Sequence, residues 1–303
     1  MRKGSAARFY WEIYALFMSL KCLVRLIGLA VNMAVEGLAR NPLSRGISGY
    51  NLDMNESRLV RRTALITGSG RNIGRSIAIA IGAEGHNVVV NGSSDQAACE
   101  SVAAEVDRAG GQALVAMGDV SNRESFDNLV NLAQKEFGSL DILINNAAIR
   151  PEKPFLETTD ADWHQVLDVD LNAAFYGCRA VLPGMVSNRW GRIINLTGMN
   201  AIHGYSGRAP VSVAKHGVWG LTKALAKEFG PSGITVNAIS PGPIRPEHDD
   251  PVQTQHLYGQ VGRIPLGHLG EPHHIASLCA YLISDGGGFV SGQMIACNGA
   301  AET

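Results

Sequence analysis

Lys215 closes the run Pro210-Val211-Ser212-Val213-Ala214-Lys215, and one helical turn before it stands Val211. A lysine can hold and polarise a neighbouring oxygen, but acid–base chemistry beside it needs a partner with a proton to give. Val211 has none. A second pattern lies far upstream, in Thr67-Gly68-Ser69-Gly70-Arg71-Asn72-Ile73-Gly74. Glycines there let backbone amides approach an anion, and the N-terminus of a following helix adds a favourable partial charge.

The elements that must position these residues alternate. Thr63–Thr67 reads as a short apolar strand, followed by the glycine turn and a helix Ile73–Glu84 closed by Gly85. Strands follow at Asn87–Asn91, Ala113–Met117, Ile142–Asn145, Arg192–Leu196, Thr235–Ile239 and Met294–Cys297. Helices separate them at Asp95–Ala109, Arg123–Phe137, Asp160–Met185, Val211–Phe229 and Pro272–Ser284. Short apolar strands divided by helices imply a parallel sheet covered on both faces. The expectation is one doubly wound α/β domain of Rossmann type, a three-layer α/β/α sandwich over residues 62–303, with no internal repeat.

Read together, Thr67-Gly68-x-x-x-Asn72-Ile73-Gly74, Asp119-Val120, Asn145-Asn146-Ala147-Ala148, Asn172, Lys215 and Pro241-Gly242 resemble the short-chain dehydrogenase/reductase family. Ser291-Gly292-Gln293 adds weaker support, and the resemblance covers about residues 62 to 300. It is closest in kind to the 3-oxoacyl-ACP reductase and the sugar or steroid dehydrogenase branches. The resemblance implies a nicotinamide dinucleotide cradled by Gly68, Ser69, Arg71, Asn72, Ile73 and Gly74. Asp119 and Val120 would lie at the adenine, Asn145 and Ala147 beside the adenine ribose, and Lys215, Pro241 and Gly242 at the nicotinamide half. Asn72 stands where a middle glycine is usual, and asparagine tolerates left-handed backbone angles better than most residues. The end of the second strand, Asn91-Gly92-Ser93-Ser94, offers no carboxylate for a ribose 2′-hydroxyl. With Arg71 in the turn, this tilts the expected cofactor toward NADP(H) over NAD(H).

The same resemblance implies a catalytic tyrosine, serine, lysine and asparagine. Asn172 and Lys215 fill two of those roles; Val211 stands at the tyrosine and Gly198 at the serine, and Pro246 replaces a threonine after Pro241-Gly242. Substitutes for the missing hydroxyls are sought among Thr197, Asn200, His203, Tyr205, Ser206 and Ser212, with Tyr205 the first choice as a relocated acid. Ser212 is one step from Val211 and so turned about 100° away. The stretch 243–270 would form a substrate lid; its Glu247, His248, Asp249, Asp250, His256 and His268 match no zinc spacing, and no metal is expected. The implied function is an NAD(P)(H)-dependent oxidoreductase acting on a carbonyl or secondary alcohol with a non-standard centre. Two alternatives stay open: an NADP(H)-binding pseudoenzyme acting as sensor, scaffold or inactive partner subunit, and non-redox lyase-type chemistry using Lys215.

Composition narrows the partners. A net charge of −1 with no basic stripe argues against nucleic acid. Five scattered cysteines without a CxxC pair suit reduced thiols of a cytoplasmic protein. Residues 1–61 form a separate N-terminal extension, in which residues 9–38 are apolar but broken by Glu12, Lys21, Arg25 and Glu36. No uncharged run there reaches the roughly 20 residues of a bilayer span. Lys21, Arg25, Gly28, Asn32 and Glu36 line one side of a helix, which suggests peripheral contact with a membrane or a partner. The other reading is upstream sequence before a domain that starts near Met54. A small-molecule substrate and a homotetramer or dimer, built on the helices Asp160–Met185 and Val211–Phe229, complete the expectations.

Overall fold

The computed structural model describes residues 60–247 and 257–301, which belong to one compact unit, Leu59–Thr303. The proposed helix at 9–38 and four of the acidic and histidine residues of the 243–270 stretch (His248, Asp249, Asp250 and His256) lie outside them. Chain order gives β1 (Thr63–Ile66), α1 (Asn72–Ala83), β2 (Asn87–Gly92), α2 (Gln96–Ala109), β3 (Gln112–Met117), α3 (Arg123–Phe137) and β4 (Ile142–Asn145). Then follow α4 (Asp160–Leu167), a π-helical segment (Asp168–Asn172), α5 (Ala173–Asn188), β5 (Gly191–Leu196), α6 (Ala209–Phe229), β6 (Ile234–Pro241), α7 (Pro272–Ile283) and β7 (Met294–Cys297).

The seven strands form one parallel sheet in the order β3-β2-β1-β4-β5-β6-β7. Parallel pairing requires crossovers, and the helices that make them cover both faces. One face is packed by Ile77 and Ile81 of α1, Val102 and Val106 of α2, and Ile275 and Leu282 of α7. The other is packed by Phe126 and Leu129 of α3 and Val181 and Met185 of α5. Strand residues therefore read as nearly continuous apolar runs rather than alternating ones, as Val88-Val89-Val90 illustrates.

Strand order reverses direction between β1 and β4, where Ile66 lies beside Ile144. Loops leaving the carboxyl ends of those two strands diverge and open a crevice, the usual ligand position in such sheets. The glycine turn after β1, Asn145 at the end of β4, Thr197 after β5 and Gly242 after β6 all fall on this edge. No helix among the described residues is long and apolar enough to cross a membrane.

Candidate active site

The turn after β1 is built by side chains that hold its backbone in place. Thr67 Oγ1 accepts from the amides of Asn146 (2.9 Å) and Ala147 (3.0 Å), and Asn146 Nδ2 donates to the carbonyls of Thr67 and Gly68. Asn91, buried at the end of β2, accepts from Gly68 N through Oδ1 and donates to the carbonyls of Ala116 and Gly118. Three strands are thereby tied to one turn. Gly68 and Asn72 both adopt left-handed backbone angles, φ 61° and 51°. The tolerance of asparagine for that region is what lets Asn72 stand in for glycine. A Cβ on Gly74 would collide with the carbonyl of Gly68, so α1 packs this closely only with glycine there.

These features fit a dinucleotide: a bare turn at a parallel-sheet switch point, opening directly into a helix N-terminus. Arg71 is exposed at the tip of the turn, Ser69 Oγ is spent on the carbonyl of Ile66, and Ile73 is half-buried behind it. Asp119 is exposed and its Oδ1 accepts from Ser121 N at 3.0 Å, a turn-forming bond, while Val120 is buried in the core. The Asn145 amide donates to Asn195 Oδ1 (2.8 Å), and Asn195 Nδ2 donates in turn to Thr222 in α6, a network across β4, β5 and α6, while Asn145 Oδ1 is left without a hydrogen-bond partner.

On the other side of the crevice Lys215 is buried, and its Nζ donates to the carbonyl of Leu196 at 3.2 Å. Its charged neighbour is Asp170, whose Oδ2 lies 3.2 Å away and is completely enclosed. Asp170 Oδ1 accepts from the amide of Ile149, so the carboxylate bridges the β4 loop and α6. Burial lowers the pKa of Lys215; Asp170 works against that shift and Arg150 reinforces it. A small internal cavity beside the pair is lined by Thr67, Asn145, Ala147, Asp170, Leu196 and Lys215.

Asn172, expected at the lysine, is turned elsewhere: its Nδ2 donates to Asp168 Oδ1 at 2.8 Å. Residues two apart on a helix point to different sides, so Asp170 and Asn172 cannot both face Lys215. The π-helical segment 168–172 sets the rotation that sends Asp170 inward. Spacing alone gave no signal for this, because an asparagine stood two residues from the position that faces the lysine.

Positions 198 and 211 themselves carry no hydroxyl. Val211 is fully buried among Val166 and Ala214, with Ile149, Leu167 and Leu171 against them. Gly198 has φ 104° and ψ 173°, a backbone region that only glycine occupies comfortably. Thr197 donates its hydroxyl proton to the carbonyl of Ile239 at 3.0 Å. Tyr205 is half-buried in the loop between Gly198 and Arg208, which is pinned by an ion pair of Arg208 with Glu152. Ser212 Oγ and Asn200 Oδ1 are enclosed without a hydrogen-bond partner.

Comparison with known proteins agrees with this architecture. A family model described as enoyl-(acyl carrier protein) reductase matches residues 68–300. A 3-oxoacyl-[acyl-carrier-protein] reductase of Synechocystis is 34% identical over 80% of this chain and 97% of its own length. The chain belongs to the short-chain dehydrogenase/reductase family. A 3-oxoacyl-[acyl-carrier-protein] reductase of Staphylococcus epidermidis is 36% identical over 79% of the chain and 98% of the relative. A (2S)-[(R)-hydroxy(phenyl)methyl]succinyl-CoA dehydrogenase subunit of Thauera aromatica is 38% identical over 78% and 96%. Among solved structures, one assigned as a short-chain alcohol dehydrogenase of Sinorhizobium meliloti superposes with a TM-score of 0.75 at 29% identity, covering 79% of this chain and 96% of its own. The fold and the oxidoreductase family are thus established.

Proposed function

We propose that this protein is an NADP(H)-preferring oxidoreductase acting on a carbonyl or secondary alcohol through an altered centre. The observation that carries the reading is the buried Lys215–Asp170 pair beside the switch-point crevice that the glycine turn opens. When bound, the nicotinamide would supply or accept the hydride. Lys215 would hold the ribose next to it, with Asp170 opposing the fall in pKa that burial imposes. NADP(H) preference is supported by the exposed Arg71 and by the lack of a carboxylate in the Asn91–Ser94 segment. Tyr205 is the proposed proton donor, since Thr197 already spends its proton on Ile239 and position 211 has no hydroxyl.

Losing a placed proton donor lowers rates by about 10²–10⁴, and losing an oxyanion donor by about 10²–10³, without simple addition. Turnover is therefore expected to be slow. The names of the relatives make a 3-oxoacyl thioester the first substrate class to assay. A second reading, a dinucleotide-binding pseudoenzyme, is favoured by the burial of Val211 in an apolar cluster.

Calorimetric titration with NADPH and NADH, followed by nicotinamide absorbance on a carbonyl panel, separates these readings. Slow oxidation of NADPH that disappears in Tyr205→Phe supports the enzyme. Tight NADPH binding with no turnover on any carbonyl supports the pseudoenzyme. Absence of binding to either nucleotide would remove both.

A further inference from the structure

The first turn of α1 is already engaged by an anion of the chain itself. Glu247 comes from the segment after β6, far from α1 in sequence, yet its Oε2 accepts from the amide of Asn72 at 2.6 Å. Its Oε1 pairs with Arg75 Nη1 at 2.7 Å, and its own amide donates to Asn72 Oδ1 at 2.9 Å. Arg75 is held on its other side by Glu105 in α2. The helix has no cap of its own, because the side chain of Arg71 at the N-cap makes no capping bond. Glu247 thus supplies the negative charge that helix N-termini attract.

This is the charge that the phosphates of a dinucleotide would bring to the same turn. Two anions cannot share one short row of amides without repulsion, and Arg75 can neutralise only part of the sum. We propose that Glu247 is an affinity-determining residue of the dinucleotide site: an internal carboxylate that the pyrophosphate must displace from Asn72 and Arg75. The proposal rests on the dinucleotide reading above and deepens it. Asn72 is what makes the occupation two-sided. Glycine at this place would still offer an amide to the carboxylate, but only the asparagine side chain accepts from Glu247 N. Displacement also releases Arg75 Nη1, which then stands beside the phosphates with Glu105 still orienting its guanidinium.

The test is titration of the full chain with NADPH, ADP and adenosine, for wild type, Glu247→Gln, Glu247→Ala and Asn72→Gly, with thermal unfolding of each apo protein alongside. Glu247→Gln and Glu247→Ala are expected to bind NADPH and ADP about two- to fivefold more tightly, the range of one charge at a helix N-terminus, with no gain for adenosine. Asn72→Gly is expected to tighten NADPH by a smaller factor, and all gains shrink as salt is raised. Melting temperatures of the apo Glu247 variants should fall, because a helix cap is lost. Unchanged or weaker NADPH binding in both Glu247 variants, whatever their melting temperatures, would overturn the proposal and leave the dinucleotide reading standing. If no form binds NADPH or NADH, both go together. A gain that extends equally to adenosine would also overturn it, since the effect would not lie at the phosphates.

Discussion

Replacing Asp170 by asparagine would leave the Lys215 ammonium enclosed without its counter-charge, while the amide oxygen could still accept from Ile149. Breaking one half of such a buried pair costs about 3–5 kcal/mol, so Asp170→Asn should unfold at markedly lower denaturant at neutral pH. The sign with pH follows from burial lowering the pKa of Lys215 in the folded state. Between that lowered value and the ordinary lysine value the unfolded chain binds more protons, so stability rises with pH across this window. Asp170→Asn removes an influence that raises the lysine pKa, and the rise should therefore begin at lower pH and be larger. Urea unfolding across neutral and alkaline buffers checks this, and a variant whose stability is flat over the range would contradict it. Positions 198 and 211 resist substitution for a different reason. A serine at 198 must adopt φ 104°, at a cost of about 1–3 kcal/mol, and a tyrosine at 211 must enter a closed apolar cluster at a similar cost. Gly198→Ser with Val211→Tyr is expected to raise carbonyl reduction by about 10² or more while lowering the melting temperature. A double variant that gains activity at unchanged stability would show that the backbone at 198 relaxes freely.

At the level of elements, a tight constraint is the crossing of α5 against α3 and β4. A Cβ added to Gly177 would lie 2.5 Å from the ring tip of Phe126 and 3.1 Å from Leu143 Cδ2. Phe126 and Leu143 are fully buried and have nowhere to retreat. Alanine normally gains about 1 kcal/mol over glycine inside a helix, yet here overpacking of about 1–3 kcal/mol should exceed that gain. Gly177→Ala is therefore expected to destabilise, as read by denaturant midpoint; stabilisation would mean that α5 can slide outward. The elements themselves were largely legible in the sequence, because buried parallel strands leave unbroken apolar runs and glycines mark the ends of α2 and α3 with left-handed angles. Helix Arg123–Phe137 and strands Ile142–Asn145 and Met294–Cys297 have the bounds their patterns imply. The glycine turn was legible for the same local reason. What the sequence hid depends on contacts between distant segments. The π-helical turn that aims Asp170 at Lys215 has no local signature, and neither has Asn91, whose amide ties the turn to β3. Glu247 meets Asn72 only because the sheet brings the ends of β1 and β6 to one edge.

On the scale of the whole molecule, the distribution of exposed apolar side chains bears on assembly. Phe175 and Val186 on α5 and Val213 on α6 are 44%, 38% and 47% exposed, although both helices also bury a face against the sheet. Large apolar groups left open on two helices of one layer are the composition expected of a subunit contact, and single scattered ones would need no explanation. A two-fold contact presents the same patch from both copies, so one substitution changes the interface twice. We therefore expect a dimer or tetramer joined through α5 and α6. Phe175→Glu should place two carboxylates in that contact and shift the mass toward monomer in light scattering, with the circular dichroism of the folded domain retained. The dinucleotide affinity should stay within about twofold of wild type, because Phe175 lies on the outer side of α5 and the crevice on the carboxyl edge of the sheet. A wild-type protein that scatters as a monomer at every concentration would sink this expectation, and so would a Phe175→Glu variant with unchanged mass.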